Sequence, residues 1–307
     1  MRSKQVFGWF GGKGQPGTLT WILQNIPRSE KTTVYCEPFL GAGSVFLAQD
    51  PYPVEVLNDI DGEVVNFFRV CQDKNSLEKL LHKLSFTPFA VSEFEKALNI
   101  LKTSSIESDP LLHAWAFFTA QNQSFNGSHY KRTSVGSWRR TFTSARNMAK
   151  TVSTWRVDID RLLDFSERIS RAQICQMDGI DCIKYWDSEQ TLFYLDPPYV
   201  LSTRKCENYV MELTDSYHKR LIETLLTIKG SAVLSGYESD IYKELENAGW
   251  KVFKKDVACY AAGSARELGI TGEGKRLEKF PRTECLWIRV NGKGHSFPKE
   301  RNLFDGV

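Results

Sequence analysis

The sequence predicts an α/β protein in which a mostly parallel sheet, covered by helices, is interrupted by a mostly helical insert. Three observations lead there. Strand-like and helix-like segments alternate at both ends of the 307-residue chain, as βαβ units do. The alternation stops between about residues 75 and 165, which read as several helices and then loops and short elements. That same interval differs from the rest in charge. We therefore expect a core in two parts, residues 1–74 and 166–307, with residues 75–165 inserted between them as a separate domain.

Taken in order, Val34 to Pro38 is a short apolar strand running into the glycine-rich turn Phe39-Leu40-Gly41-Ala42-Gly43, and Ser44 to Gln49 can start a helix. Val54 to Leu57 is a second strand. After Asp59 a helix places Val64, Val65, Phe67, Phe68 and Cys71 on one side. Residues 76–121 read as several helices, with one stripe of Leu77, Leu80, Leu81 and Leu84 and another of Phe94, Leu98 and Leu101. Residues 122–156, rich in Ser, Thr, Asn and Gly, read as loops and short elements. A helix from Asp158 to Arg171 follows, with Ile159, Leu162, Leu163 and Ile169 facing inward. Strands are then expected at 173–177, 191–195, 231–235, 250–257 and 284–290, and helices at 179–186, 215–228 and 238–248. The Gly-rich, charged segment 260–282 suggests an exposed loop or hairpin.

Composition is that of a folded soluble protein, with 41% apolar and 25% charged residues. No apolar run reaches the ~18 residues of a membrane span, and the basic start lacks the apolar stretch of a secretory signal. Seven cysteines without paired spacing read as reduced thiols of a cytoplasmic protein. The five histidines lie far apart, so no metal is expected. Net charge is only +3, but its distribution is uneven. No acidic residue occurs between Asp109 and Asp158, an interval that holds Lys131, Arg132, Arg139, Arg140, Arg146, Lys150 and Arg156. Aromatic residues are interleaved with them, Phe125, Trp138 and Phe142 included. Basic residues mixed with aromatics in this way predict a polyanion-binding surface.

Three short motifs carry chemistry. In VYCEPFLGAGSVF (34–46) the glycines let a ligand approach the backbone. Asn58-Asp59 ends the next strand, where a carboxylate can accept both hydroxyls of an adenosine ribose. An Asp there is also a common helix cap. In TLFYLDPPY (191–199) an apolar strand ends in Asp196-Pro197-Pro198-Tyr199. Two prolines stop both helix and sheet and brace the loop. The Asp196 carboxylate and the Pro197 carbonyl then form two adjacent acceptors, which match the two hydrogens of an aromatic amino group. Tyr199 could stack on the ring that bears it.

DPPY after a glycine-rich first strand resembles the amino-methyltransferases of DNA, and further residues resemble the Dam-like DNA adenine methyltransferases. WFGGK (Trp9 to Lys13) matches the start of that family, EPFLGAGSVF (Glu37 to Phe46) its first strand motif, and RTECLWI (Arg282 to Ile288) its late strand. The matches cover roughly residues 1–70 and 173–290, in the order of cofactor motifs, insert, DPPY. Phe125-Asn126-Gly127 is similar to an asparagine–aromatic–glycine pattern of the insert. The segment that follows it in GATC-specific members is not recognisable here.

The resemblance implies a Rossmann-like core that uses S-adenosyl-L-methionine to methylate the exocyclic amino group of adenine in double-stranded DNA. It places Trp9, Gly12, Lys13, Glu37, Phe39, Gly41, Gly43 and Ser44 around the donor, with Lys13 near its carboxylate. It puts Asp59 on the ribose, Met177 and Asp178 by the donor adenine, and Asp196 beside the methyl. Asn122, Phe125, Asn126, Lys131, Arg132, Trp138, Arg139, Arg140 and Arg146 are expected to bind DNA. Cytosine amino-methylation, RNA adenine methylation and a non-catalytic nucleic-acid-binding module are the alternatives. The first two would use the same acceptors. The third is disfavoured because Gly41, Gly43, Asp59, Asp196, Pro197 and Tyr199 are all present. Such an enzyme works at bacterial or phage-infected-host DNA, and a cognate restriction endonuclease would be a partner it does not physically require.

Overall fold

A computed structural model of the chain describes residues 5–9, 11–125, 137–199, 213–258 and 281–291. Its centre is a seven-stranded sheet. In chain order the strands are β1 (Val34–Glu37), β2 (Val54–Asn58), β5 (Ala172–Cys175), β6 (Thr191–Leu195), β7 (Ser231–Tyr237), β8 (Lys251–Ala258) and β9 (Pro281–Arg289), and their order across the sheet is β5-β2-β1-β6-β7-β9-β8. Every pairing is parallel except the two made by β9, which runs antiparallel between β7 and β8. A short hairpin, β3 (Ser144–Ala145) with β4 (Met148–Ala149), stands apart. Its tight turn uses Arg146 and Asn147 at positive φ.

The strands are apolar throughout because both faces of the sheet are covered. Alternate residues divide between two cores. Tyr35, Leu57, Leu192, Tyr194, Val233 and Leu286 face one, and Cys36, Val56, Phe193, Leu195, Leu234 and Trp287 face the other. The second core is closed by α8 (Gly179–Trp186), α9 (Asp215–Thr227) and α10 (Lys243–Asn247). The first is closed by α1 (Pro16–Asn25), α2 (Gly62–Gln72), α3 (Lys74–Ser85), α4 (Val91–Thr103), α5 (Pro110–Gln123), α6 (Lys150–Asp160) and α7 (Leu162–Ile169). Aspartates begin several of these helices by accepting from backbone N–H groups: Asp61 before α2, Asp73 before α3 and Asp109 before α5.

The helices of the 75–165 interval share a core with the sheet. Phe67 of α2 packs on Phe117 and Phe118 of α5 at ring distances of 5.6 and 5.8 Å, and α5 is buried on all sides from His113 to Gln123. The expected domain boundaries at 74/75 and 165/166 fall inside α3 and α7. The chain leaves and rejoins the sheet layer without a linker.

Local departures from the expected elements have identifiable causes. Ser44–Gln49 contains only a 3₁₀ turn, Phe46–Ala48, because Pro51 bars Asp50 from helical geometry. The helix expected over Asp158–Arg171 is two helices that meet at Arg161, and Leu163 points outward, 60% exposed. The 238–248 helix is a 3₁₀ turn followed by α10, with Gly249 at φ +86° two residues past its last one. The strand begun at 173 is shorter, and that at 284–290 begins at Pro281. Segment 260–282 lies almost wholly outside the described residues. Among those residues, no helix is long and apolar enough to cross a membrane.

One buried ion pair ties α7 to the sheet. Arg168 reaches both carboxylate oxygens of Glu55 on β2 at 2.7 Å, with its guanidinium 3.7 Å from the Phe46 ring. Both side chains are almost fully enclosed. Removing one partner strands a buried charge. Arg168→Met is therefore expected to lower the unfolding free energy by about 3–5 kcal/mol, and adding Glu55→Met should recover most of it. Urea denaturation of the two variants would contradict this if the single change cost no more than the double.

Candidate active site

The strand order reverses between β1 and β6, one leading outward through β2 to β5 and the other through β7. Open α/β sheets bind ligands at such a point, beyond the carboxyl ends of the strands. A cavity of about 450 Å³ lies there. Trp9, Gly12, Lys13, Glu37, Phe39, Gly41, Ser44, Asp59, Asp178, Asp196 and Pro198, all picked from sequence, are among its walls. Gly43, Met177, Pro197 and Tyr199 are not. Gly43, at φ +63°, shapes the turn and packs on Leu40 and Phe68, and Met177 joins the second core.

The glycine turn is built for close approach. Gly41 has φ +51°, and a Cβ there would lie 2.6 Å from Trp9 Nε1. Its N–H donates to Asp59 Oδ2 at 2.8 Å, while Asp59 Oδ1 accepts from Asp61 N at 2.9 Å. Each oxygen keeps a lone pair for a ligand hydroxyl. Burial, with the neighbouring Asp61 charge, lifts Asp59 to about 6. Asp178 caps α8 through Ile180 N and accepts from the Tyr217 hydroxyl. Asn58, which sequence reasoning treated only as Asp59's neighbour, is fully buried and bonds Pro38 O and both backbone groups of Met177.

Asp196 leaves the end of β6 and meets a cation. Lys13 Nζ donates to its two oxygens at 2.6 and 2.8 Å. Lys13, expected near the donor's carboxylate, has its ammonium across the two oxygens of this carboxylate in the cavity wall. Burial pushes Asp196 upward, and Lys13 opposes that push. Tyr199 also departs from expectation. Its ring is buried edge-on against Tyr237, at 4.5 Å, with Lys13 Nζ 4.7 Å from its centroid. Its hydroxyl donates to Glu284. A buried phenol needs an acceptor, and Glu284 on β9 supplies it. Sequence reasoning gave Glu284 no role, although it lies within RTECLWI (Arg282 to Ile288), beside the apolar run Cys285–Ile288.

The basic interval is partly rearranged. Asn122 is buried and donates to Val6 O at 3.1 Å, so its side chain anchors the N-terminal segment. Arg139 lies mostly buried near Asp158, and burial lowers its pKa. With Asn122 and Arg161 these two line a second hollow of about 400 Å³. Asn122 is thus paired within the chain, whereas Arg139 lines the hollow beside Asp158 with its Nε buried and unpaired. Trp138 lies against Phe89 and donates to Gln123, and Phe125 is half-buried. Arg140 and Arg146 are exposed. Asn126, Lys131 and Arg132 lie outside the described residues. Among the described residues, no group of three or more His, Cys, Asp or Glu could hold a metal.

Glu37 is the cavity's most enclosed acid. Burial raises it to about 8, although it accepts from Tyr35 at 2.6 Å. Between its ordinary value near 4.5 and 8 the unfolded chain has released this proton and the folded chain retains it. Stability therefore falls as pH rises through that window, by about 1.4 kcal/mol per unit for this group. Glu37→Gln should lose less stability than the parent between pH 5 and pH 8 in urea unfolding. Equal losses would mean that Glu37 is ionised in the fold.

The comparisons with known proteins bear on this geometry. A model of the D12 class N6 adenine-specific DNA methyltransferases matches residues 9–257. A protein of Escherichia phage P1 named DNA N-6-adenine-methyltransferase is 30% identical over 125 residues, which are 40% of this chain but only 16% of the phage protein. The DNA adenine methylase of two Vibrio cholerae strains is 25% identical over 218 residues, 66% of this chain and 68% of theirs. With the family match running from the cavity's first wall residue, Trp9, into β8, this chain belongs to the D12 class of N6 adenine-specific DNA methyltransferases.

Proposed function

We propose that the chain transfers a methyl group from S-adenosyl-L-methionine to the exocyclic amino group of adenine in double-stranded DNA, with Asp196 as the group that grips the amino nitrogen. The observation that carries this is one cavity with Asp59 on one side and Asp196 on another. The cradle suits a nucleoside that carries an amino-acid tail. Asp59 would hold the ribose, Phe39 and Asp178 the adenine, and Glu37 with the Gly41 turn the tail. When bound, this donor supplies a methyl already activated on a sulfonium. What remains for the protein is alignment and electrostatics.

The target amino group cannot be reached inside a duplex, so the base must be extruded. Asp196 and the Pro197 carbonyl, which lies beyond the end of β6, would accept its two hydrogens and aim the lone pair at the methyl carbon. On taking up a methyl group the amino nitrogen would acquire positive charge. The Asp196 carboxylate stabilises that charge more than it stabilises the neutral amine. The proton that the methylated nitrogen sheds would pass to the Asp196 carboxylate or to solvent water. Extrusion costs a few kcal/mol, offset by phosphate contacts from the 75–165 helical unit, where Arg140 and Arg146 are exposed.

Asp196→Ala should reduce methyl incorporation into DNA by on the order of 10³-fold while DNA affinity changes little. Near-parental incorporation would end this reading. Single-molecule sequencing of DNA from a host without its own adenine methylation, expressing the chain, reads both the modified base and the site. Methylated cytosine would favour the other amino-methyltransferase chemistry. Arg140→Ala should weaken binding across all sequences and lower the salt slope by about one counterion, whereas an unchanged slope in filter binding would take Arg140 off the DNA.

A further inference from the structure

Beside the proline pair, four groups meet from distant parts of the chain. Lys13 follows the Gly11–Gly12 turn, Asp196 ends β6, Ser235 is on β7 and Glu284 on β9. The ammonium of Lys13 bridges both oxygens of Asp196, takes Gly11 O at 3.0 Å, and lies 3.7 Å from Glu284 Oε1. Lys13 and Glu284 are 5% and 4% exposed. The same Glu284 oxygen accepts from Ser235 at 3.0 Å and from the Tyr199 hydroxyl. Two enclosed carboxylates thus flank one ammonium, and the farther of them is fixed by two hydroxyl donors.

This arrangement conflicts with the chemistry required of Asp196. An amino group arriving there meets oxygens already engaged by Lys13. The positive charge that develops on its nitrogen would sit beside a second cation. Lys13 must step aside, yet an ammonium in this enclosure cannot be left without an anion. Glu284 is the available anion. A shift of about 1 Å shortens 3.7 Å to a normal charge-assisted length, and the Ser235 and Tyr199 donors hold the receiving oxygen still.

Resting on the assignment of Asp196 above, we propose that Glu284 is a positioning residue, which takes the Lys13 ammonium from Asp196 when the target adenine enters. Entry of the amino group and transfer of the lysine are then one exchange, with no buried charge unpaired at any stage. A base without an amino group cannot displace the lysine, so the exchange also favours adenine over a bare purine.

The test replaces Glu284 by Gln, which keeps the shape and an acceptor for the two hydroxyls but removes the charge. Duplexes carrying the chain's own site, one with adenine and one with unsubstituted purine at the target position, are compared by equilibrium binding without donor. The parent should prefer adenine, and Glu284→Gln should lose that preference. Its kcat should fall about tenfold, with donor affinity by equilibrium dialysis within about twofold of the parent. Glu284→Asp, which retains the charge but sets it farther from Lys13, should fall between. Should Glu284→Gln fail to fold by circular dichroism, Glu284→Asp carries the test, and parental kcat with parental base preference in it overturns the proposal. Parental behaviour of Glu284→Gln alongside an inactive Asp196→Ala also overturns it, while leaving the Asp196 assignment standing. Activity in both variants defeats the Asp196 assignment itself.

Discussion

One carboxamide holds three strand ends level, and the cavity depends on it. Asn58, fully buried at the end of β2, donates to Pro38 O beyond β1 and to Met177 O beyond β5, and accepts from Met177 N. Its own carbonyl accepts from Leu40 N at 2.9 Å, at the start of the glycine turn. The position needs a donor and an acceptor on one short, neutral side chain. A carboxylate would face two carbonyls with nothing to donate, and a glutamine would overshoot. Because the network is fully paired in an enclosed place, it is stiff. Asp59, the next residue, and Gly41, which it grips, inherit their positions from it.

The cavity built on that frame is rich in acids. Glu37, Asp59, Asp178 and Asp196 line it, with Glu284 directly behind Lys13. Enclosure raises the pKa values of Glu37, Asp59 and Asp196, and the chain answers each in a different way. Glu37 holds a proton near neutrality, Asp59 is met by backbone N–H groups, and Asp196 is met by Lys13. Dinucleotide cofactors bind similar folds through a helix N-terminus left open to phosphate. Here the segment after the glycine turn is only a 3₁₀ turn.

What could be read from sequence divides along physical lines. Strands covered on both faces advertise themselves as apolar runs, so the sheet was legible, as were the glycine turn, Asp59 and DPPY, where local backbone chemistry imposes the residue type. The helix α1 was not, since it buries only Leu19 and Ile22 and shows little periodicity. Charge patterning identified a basic interval but not which of its members face solvent. Arg139 and Arg140 are neighbours in sequence, and one is mostly buried near Asp158 while the other is exposed. Glu284 and Lys13 lie far apart in the chain and meet only through the antiparallel insertion of β9. No local pattern encodes such a meeting, and the same holds for the buried ring of Tyr199.

The N-terminal segment joins the helical interval to the cavity. Asn122 of α5 holds Val6 O. Phe7 packs edge-on against Phe67 and Phe117 at 5.4 and 5.2 Å, and Trp9 lies 6.5 Å from Phe117. Trp9 in turn roofs Gly41, and Gly12 N returns to Trp9 O at 3.0 Å just before Lys13. Static contacts thus connect α5 to the glycine turn and to the segment that carries Lys13. This also accounts for a helical unit without a core of its own. An independently folded unit on a linker would lack these contacts to the segment that carries Lys13.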